Sequence, residues 1–172
     1  VAIQAGLEAP FMRPEALSGD IVGDTEVLTH ALKEMERRDN VQYDVVVMLQ
    51  PTSPMRTAEH VTQTVTKLIE KGYDAVWTVS ETDSKAHPLK QLVIEADRLD
   101  YYDKDGDKII ARQQLKPVYH RNGVAYAITR SCLLDSKSIK GEKTSAVIIK
   151  TPLVNIDTEF DLQLVEFISP SI

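Results

Sequence analysis

The chain has 172 residues, 42% of them hydrophobic, and its 20 Lys and Arg against 26 Asp and Glu give a formal charge of −6 at neutral pH. This supports a single domain with one buried core, and the acidic balance argues against a protein that binds nucleic-acid phosphates. With 7 Gly and 8 Pro the composition is neither fibrous nor disordered, and no apolar run approaches the roughly 20 residues of a membrane span.

The single cysteine, Cys132, cannot form an internal disulfide, which points to a reducing, cytoplasmic setting; it reads as a small buried apolar residue. The chain opens Val1-Ala2-Ile3 with neither Met nor a signal-peptide pattern, so this start reads as a cut. Residues 25–38 gather Val27, Leu28, Ala31, Leu32 and Met35 on one helical face, with Asp24 at the start and Arg37 and Arg38 near the end, as the helix dipole favours. Residues 43–49 are apolar on consecutive positions, the pattern of a strand buried on both faces. After the turn Pro51-Thr52-Ser53-Pro54, residues 58–71 form a helix with Val61, Val65, Leu68 and Ile69 inward, stopped by Gly72, and residues 73–79 form another buried strand. Strand, helix and strand of these lengths make a right-handed βαβ unit and set the class as α/β with a mostly parallel sheet. Residues 89–94 and 98–102 alternate as short strands, with Asp105-Gly106 as a hairpin turn; residues 118–128, 146–149 and 153–156 supply further strands. Thr158 and Asp161 cap a last helix with Phe160, Leu164, Phe167 and Ile168 on its apolar face. The whole is one α/β domain over residues 1–172 with an antiparallel excursion at about 84–116.

Chemistry concentrates past the carboxyl ends of the two buried strands, where open α/β sheets hold ligands. In Gln50-Pro51-Thr52-Ser53-Pro54-Met55-Arg56 two prolines stiffen a loop that presents Gln50, Thr52, Ser53 and Arg56; the plainer alternative is a loop that starts the next helix. His87-Pro88-Leu89-Lys90 adds a titratable ring and a cation, although a lone histidine is more often structural. Arg112-Gln113-Gln114 and Arg121-Asn122-Gly123 bring guanidinium groups suited to carboxylate or phosphate, or else solvated surface charges; with Arg13, Arg56 and Lys90 they compose a pocket for an anionic substrate. Asp157 reads equally as a Mg²⁺ ligand and as an acid favouring a helix start. Asp103-Lys104-Asp105-Gly106-Asp107 lacks the glycine and glutamate positions of a calcium loop and reads as a solvated hairpin tip. His30, His60, His87 and His120 show no zinc spacing, and neither a Ser-His-Asp order nor a glycine-rich phosphate loop is present.

Taken in order, Phe11-Met12-Arg13-Pro14-Glu15-Ala16-Leu17, Leu49-Gln50-Pro51-Thr52-Ser53-Pro54-Met55-Arg56, His87-Pro88-Leu89-Lys90, Arg112-Gln113-Gln114-Leu115, Arg121-Asn122-Gly123-Val124-Ala125-Tyr126 and Ile156-Asp157-Thr158-Glu159-Phe160-Asp161 resemble the CMP-sialic acid synthetases, or acylneuraminate cytidylyltransferases, along nearly the whole chain. The resemblance implies a Rossmann-like nucleotide-transferase sheet with a dimerisation excursion, and Mg²⁺-dependent reaction of CTP with a nine-carbon 2-keto sugar acid to give the CMP-sugar and pyrophosphate. It implies that Gln50, Lys90, Arg112 and Tyr126 contact the sugar acid, that Arg13 and Asn122 shape the cleft, and that Asp157 is a metal ligand. Lys90, Arg112 and Asp157 are then the catalytic candidates, and Arg13, Gln50, Thr52, Ser53, Arg56, His87, Gln114, Asn122 and Tyr126 the binding candidates. A homodimer or larger homo-oligomer is expected, with no nucleic-acid or membrane partner.

Two departures qualify the expectation. The family opens with a strand and a glycine- and lysine-bearing loop for the CTP phosphates, which would lie ahead of Val1, so the chain as given is expected to be weak or inactive and to pair an open strand edge with a second molecule or belong to a longer protein. The family also carries paired acids where this chain has Asn155-Ile156-Asp157, and Asn155 offers a neutral oxygen in place of a charge. The rival to the enzyme is a non-catalytic homologue serving as a sugar-acid binding or oligomerisation module.

Overall fold

The computed structural model describes residues 1–168. Four helices and six strands follow in the order α1 (Asp24–Asp39), β1 (Val45–Met48), α2 (Ala58–Lys71), β2 (Ala75–Glu81), β3 (Leu92–Glu95), β4 (Arg98–Tyr101), β5 (Tyr119–Thr129), α3 (Arg130–Leu134), β6 (Thr144–Ile148) and α4 (Glu159–Ile168). The helix ends carry the expected chemistry. Asp24 and Glu26 sit in the first turn of α1 and Arg37 and Arg38 in its last. At α2 the Thr57 hydroxyl accepts from the His60 amide while His60 Nδ1 accepts from the Thr57 amide, and Gly72 ends the helix at φ 61°.

The main sheet has the order β1-β5-β2-β6. β2 and β6 pair in parallel, and β5 runs antiparallel to both β1 and β2. The βαβ unit expected from the sequence is therefore opened: β1 and β2 point the same way, but β5 lies between them. α2 covers one face, where Leu68 and Val65 meet Val45, Val47, Val76 and Ala127. α1 and α3 cover the other, where Leu28, Leu32 and Leu133 meet Val46, Ala75, Trp77 and Ile128. Strand residues alternate between these layers with period two, which is why β1 and β2 are apolar on consecutive positions.

Outside this sandwich several expectations change. The hairpin β3–β4 turns at Ala96 and Asp97, both at positive φ (48° and 63°), and not at Asp105-Gly106. Residues 103–107 are solvated except for Gly106 but form no hairpin tip: Lys104–Lys108 is a 3-10 turn with Gly106 buried, and a Cβ at Gly106 would stand 2.6 Å from the Leu89 carbonyl oxygen. Residues 153–156 form no strand, because the Ile156 amide donates to the Thr52 carbonyl (2.8 Å) and the Val154 amide to the Met55 sulfur. α4 does start at a Thr158–Asp161 reciprocal cap, yet it buries Val165, leaving Phe160, Phe167 and Ile168 exposed.

Candidate functional site

The site is built around an irregularity in the β2–β5 pairing. Trp77 faces Tyr126 and Val79 faces Arg121, so one residue of β2, Thr78, spans four of β5, residues 122–125. Such a bulge strips backbone groups of their ladder partners, and a buried group without a partner is costly. Each is satisfied from another source. The Asn122 carbonyl accepts from Ser53 Oγ (2.8 Å), and the Gly123 carbonyl accepts from the Gln50 amide (3.1 Å) and Arg56 Nη2 (3.3 Å). The Val124 carbonyl accepts from Arg56 Nε, the Val124 amide donates to Asn122 Oδ1, the Gly123 amide donates to the Tyr126 hydroxyl (2.8 Å), and the Ala125 amide donates to Thr78 Oγ1 (2.9 Å). Gly123 sits at φ 72° with Gln50 Oε1 and Ser53 Oγ packed where a Cβ would stand.

Beside this bulge opens a cleft of about 720 Å³. Its walls are Ser80 and Glu81 at the end of β2, Tyr119 and His120 at the start of β5, residues 148–153 after β6, and Asn122 and Asn155 at its base. A second cleft adjoins it at Glu81 and Pro152 and is bounded by Asp83, Ser84, His87, Arg112 and Lys116. Both lie at the carboxyl ends of β2 and β6, whereas the sequence points to the carboxyl ends of β1 and β2.

The anticipated residues divide into three groups. Ser53, Asn122 and Tyr126 are at most 2% exposed and spend their polar groups on the bulge. Tyr126 therefore stands behind the cleft and cannot touch a sugar acid in this conformation; burial pushes its phenol above the ordinary range, so it stays a neutral hydroxyl. Arg56 is likewise no substrate ligand here, since its guanidinium clamps the carbonyls of Gln50, Gly123 and Val124, and burial lowers its pKa. His87 is buried, its Nδ1 accepting from the Leu89 amide and its Nε2 facing the Lys116 carbonyl (3.1 Å), so it is a neutral Nε2–H brace between the two ends of the excursion. Gln114 is exposed, and its Oε1 accepts from the amides of Ile110 and Ala111 within its own turn.

A second group faces solvent: Arg112 is exposed and lines the second cleft, Lys90 and Asp157 are exposed outside both linings, and Gln50 and Thr52 are half-buried in the proline loop. Arg13 belongs to a third, on an exposed amino-terminal stretch, and appears in neither cleft. Arg121 lies over the Trp77 ring (5.6 Å) on the α1 side of the sheet, away from the polar cleft. Several cleft residues gave no signal in the sequence. Ser80, His120 and Lys150 line the first cleft and Thr78 is buried behind it, and the sequence singles out none of the four as a site residue.

Ser53 Oγ lies 2.8 Å from the Asn122 carbonyl and 3.1 Å from the Asn155 amide. The Asn155 atom facing Ser53 is Oδ1, so the single hydroxyl hydrogen stands between two acceptors, with the shorter bond to Asn122. Among the described residues no group of three or more His, Cys, Asp or Glu side chains is placed to hold a metal ion. Asp161 is committed to the amides of Asp157 and Thr158 and to the Thr158 hydroxyl, which hold its carboxyl below the ordinary range. In this segment the exposed carboxylate Asp157 stands two residues from Asn155, whose Oδ1 keeps one lone pair beyond its contact with Ser53. This donor set fits a Mg²⁺ ion that takes most of its shell from phosphate and water. No helix among the described residues is long and apolar enough to cross a membrane.

No family model matches the chain. It is 27% identical to the CMP-N,N'-diacetyllegionaminic acid synthase of Legionella pneumophila over 96% of its own length and 71% of that protein. It is 28% identical to the N-acylneuraminate cytidylyltransferase of Escherichia coli over 95% of its length, which is 38% of that longer protein. The structure superposes on CMP:2-keto-3-deoxy-manno-octonic acid synthetase with a TM-score of 0.56 at 14% identity, covering 91% of this chain and 74% of that one, a likeness of fold. The chain is thus similar along almost its whole length to a CMP-N,N'-diacetyllegionaminic acid synthase and to an N-acylneuraminate cytidylyltransferase, and it shares the fold of a CMP-sugar acid synthetase.

Proposed function

We propose that the chain carries the sugar-acid side of a cytidylyltransferase that joins CMP, taken from CTP, to a nine-carbon 2-keto sugar acid of the sialic, legionaminic or pseudaminic type. The observation that carries this reading is the polar cleft at the carboxyl ends of β2 and β6, framed by the proline loop, the β5 bulge and the Asn155 segment. Its lining of hydroxyls, an amide pair, an imidazole and an ammonium suits a polyhydroxylated acid whose carboxylate is kept away from the one acidic wall residue, Glu81. Arg112 is an exposed cation of the excursion that lines the second cleft, and it would take the carboxylate, with Lys90, exposed three residues after His87, as a further candidate.

In the reaction the anomeric hydroxyl oxygen bonds to the α-phosphorus of CTP, the bond to the bridging oxygen breaks, pyrophosphate leaves and the hydroxyl proton is released. A Mg²⁺ ion held through Asp157 and Asn155 would supply charge neutralisation at the phosphates. The protein contributes mainly positioning and fixed charge, because this kind of transfer needs little else from side chains. The exposed face of β3–β4 supports a homodimer built on the excursion.

A second reading, sugar-acid binding without turnover, is favoured by Asn155, which leaves Asp157 as the lone free carboxylate of its segment. The deciding experiment supplies the purified, folded chain with CTP, Mg²⁺ and a panel of nine-carbon 2-keto sugar acids. Pyrophosphate release dependent on one acid is the expected outcome. Saturable binding of an acid without release would favour the binding module, and neither release nor binding would sink both readings.

A further inference from the structure

We propose that Thr78 is the positioning residue of this site: through its hydroxyl, the floor of the sheet sets the geometry of the proline loop that frames the cleft. The proposal rests on the cytidylyltransferase reading and adds a residue to which that reading gives no part. Thr78 is fully buried and alone on β2 opposite four residues of β5. Its Oγ1 has two acceptors in reach of its one hydrogen, Asn122 Oδ1 (2.7 Å) and the Ala125 carbonyl (3.0 Å), the shorter bond going to Asn122, and it accepts from the Ala125 amide (2.9 Å), so it touches both ends of the bulge. Asn122, held there and by its Nδ2 bond to Ser80 Oγ (3.0 Å), turns its carbonyl to Ser53. Ser53 in turn meets Asn155 at the base of the cleft. A continuous line of hydrogen bonds thus runs from Thr78 through Asn122 and Ser53 to Asn155, crossing from β2 to β5, to the proline loop and to the segment after β6.

None of these links uses a solvent-facing group of Thr78, so the residue cannot contact a substrate and acts only through the others. An all-apolar side chain of the same shape would leave the Ala125 amide unpartnered and Asn122 Oδ1 with the Val124 amide alone, at 3.2 Å. Loss of a buried partner is felt at the groups left behind more than at the residue removed.

Thr78→Val keeps the shape and β-branching of the side chain and removes the hydroxyl, whereas Thr78→Ser keeps the hydroxyl and removes the methyl. Amide hydrogen exchange without any ligand reads the first link. Exchange at Gln50, Ser53, Gly123 and Ala125 should quicken about tenfold or more in Thr78→Val, while Thr78→Ser stays within a few-fold of the parent. Steady-state pyrophosphate release reads the second: KM for the sugar acid rises about tenfold in Thr78→Val and is rescued in Thr78→Ser, with the KM for CTP unmoved. Should Thr78→Val fail to fold, Ser53→Ala cuts the same line from the loop side and should raise the sugar-acid KM in the same way.

Parent-like exchange in Thr78→Val, or equal damage in Thr78→Ser, would overturn the proposal, and so would altered exchange with unchanged KM. A parent chain that turns over no sugar acid would overturn it too. That case is told apart by its cause: the exchange contrast between Val and Ser would persist, marking a failure of the enzyme reading and not of the hydrogen-bond line.

Discussion

Gly123 is the residue at which backbone and loop constraints meet. Its positive φ is open to glycine at no cost, and the space a Cβ would need is held by Gln50 and Ser53. Gly123→Ala should therefore lower stability by about 2–3 kcal/mol in urea unfolding, combining backbone strain with displacement of the loop. A loss as small as that of an ordinary surface substitution would show that the loop yields freely. Glu36 gives a prediction of the opposite kind, set by charge. It accepts from Arg130 Nε (2.8 Å) and from the Tyr43 amide, which hold its carboxyl below the ordinary range. A lowered folded value means stability present above the ordinary carboxyl range and lost as pH falls through the folded value. The parent should thus exceed Glu36→Gln in urea midpoint at neutral pH, and the gap should close on acidification below that range. A gap constant with pH would place the effect elsewhere than in the ion pair. At this scale the sequence revealed identities but not commitments. Gln50, Ser53, Arg56, Asn122 and Tyr126 were all legible as a polar group near a strand end, but whether an arginine faces a ligand or three carbonyls depends on a bulge that no local pattern announces.

The elements divide by how they earn their burial. α1, α2, β1 and β2 carry their periodicity in the chain and appear where it puts them, within a residue or two of the expected ends. The misplacements fall where partners are distant in sequence. Residues 153–156 are apolar enough for a strand, but their amides are taken by the proline loop a hundred positions earlier. The hairpin β3–β4 shows a different effect. Leu92 pairs with Tyr101 and Ile94 with Leu99, so four large apolar side chains share one face, and Ile94 is 72% and Leu99 65% exposed. If a second copy covers this face, the double variant Ile94→Glu, Leu99→Glu should sediment as a monomer with unchanged far-UV circular dichroism, since neither side chain supports the body of the fold. Continued self-association of that variant would move the interface elsewhere.

At the scale of the whole molecule, three of the four main-sheet strands run one way between two helical layers, and β5 alone runs against them. The α/β class was legible because strands buried on both faces are apolar without alternation. The placement of β5 between β1 and β2 was not, because a long aromatic strand after an excursion fits several sheet positions equally well. That placement is what makes the site: a strand running against its neighbours brings its beginning, Tyr119 to Asn122, to the edge where β2 and β6 end.

The aromatic on the other side of the bulge has a practical consequence. Trp77 is the only tryptophan of the chain, one residue before Thr78, with the Tyr126 ring 5.3 Å and the Arg121 guanidinium 5.6 Å from its centre. Both neighbours belong to β5 and flank residues 122–125, so any rearrangement of the bulge alters the field and the quencher above the indole. The protein therefore contains a built-in optical probe: its intrinsic fluorescence comes from a single emitter at the back of the cleft, and a titration followed at the indole wavelength would report on the candidate site without a label.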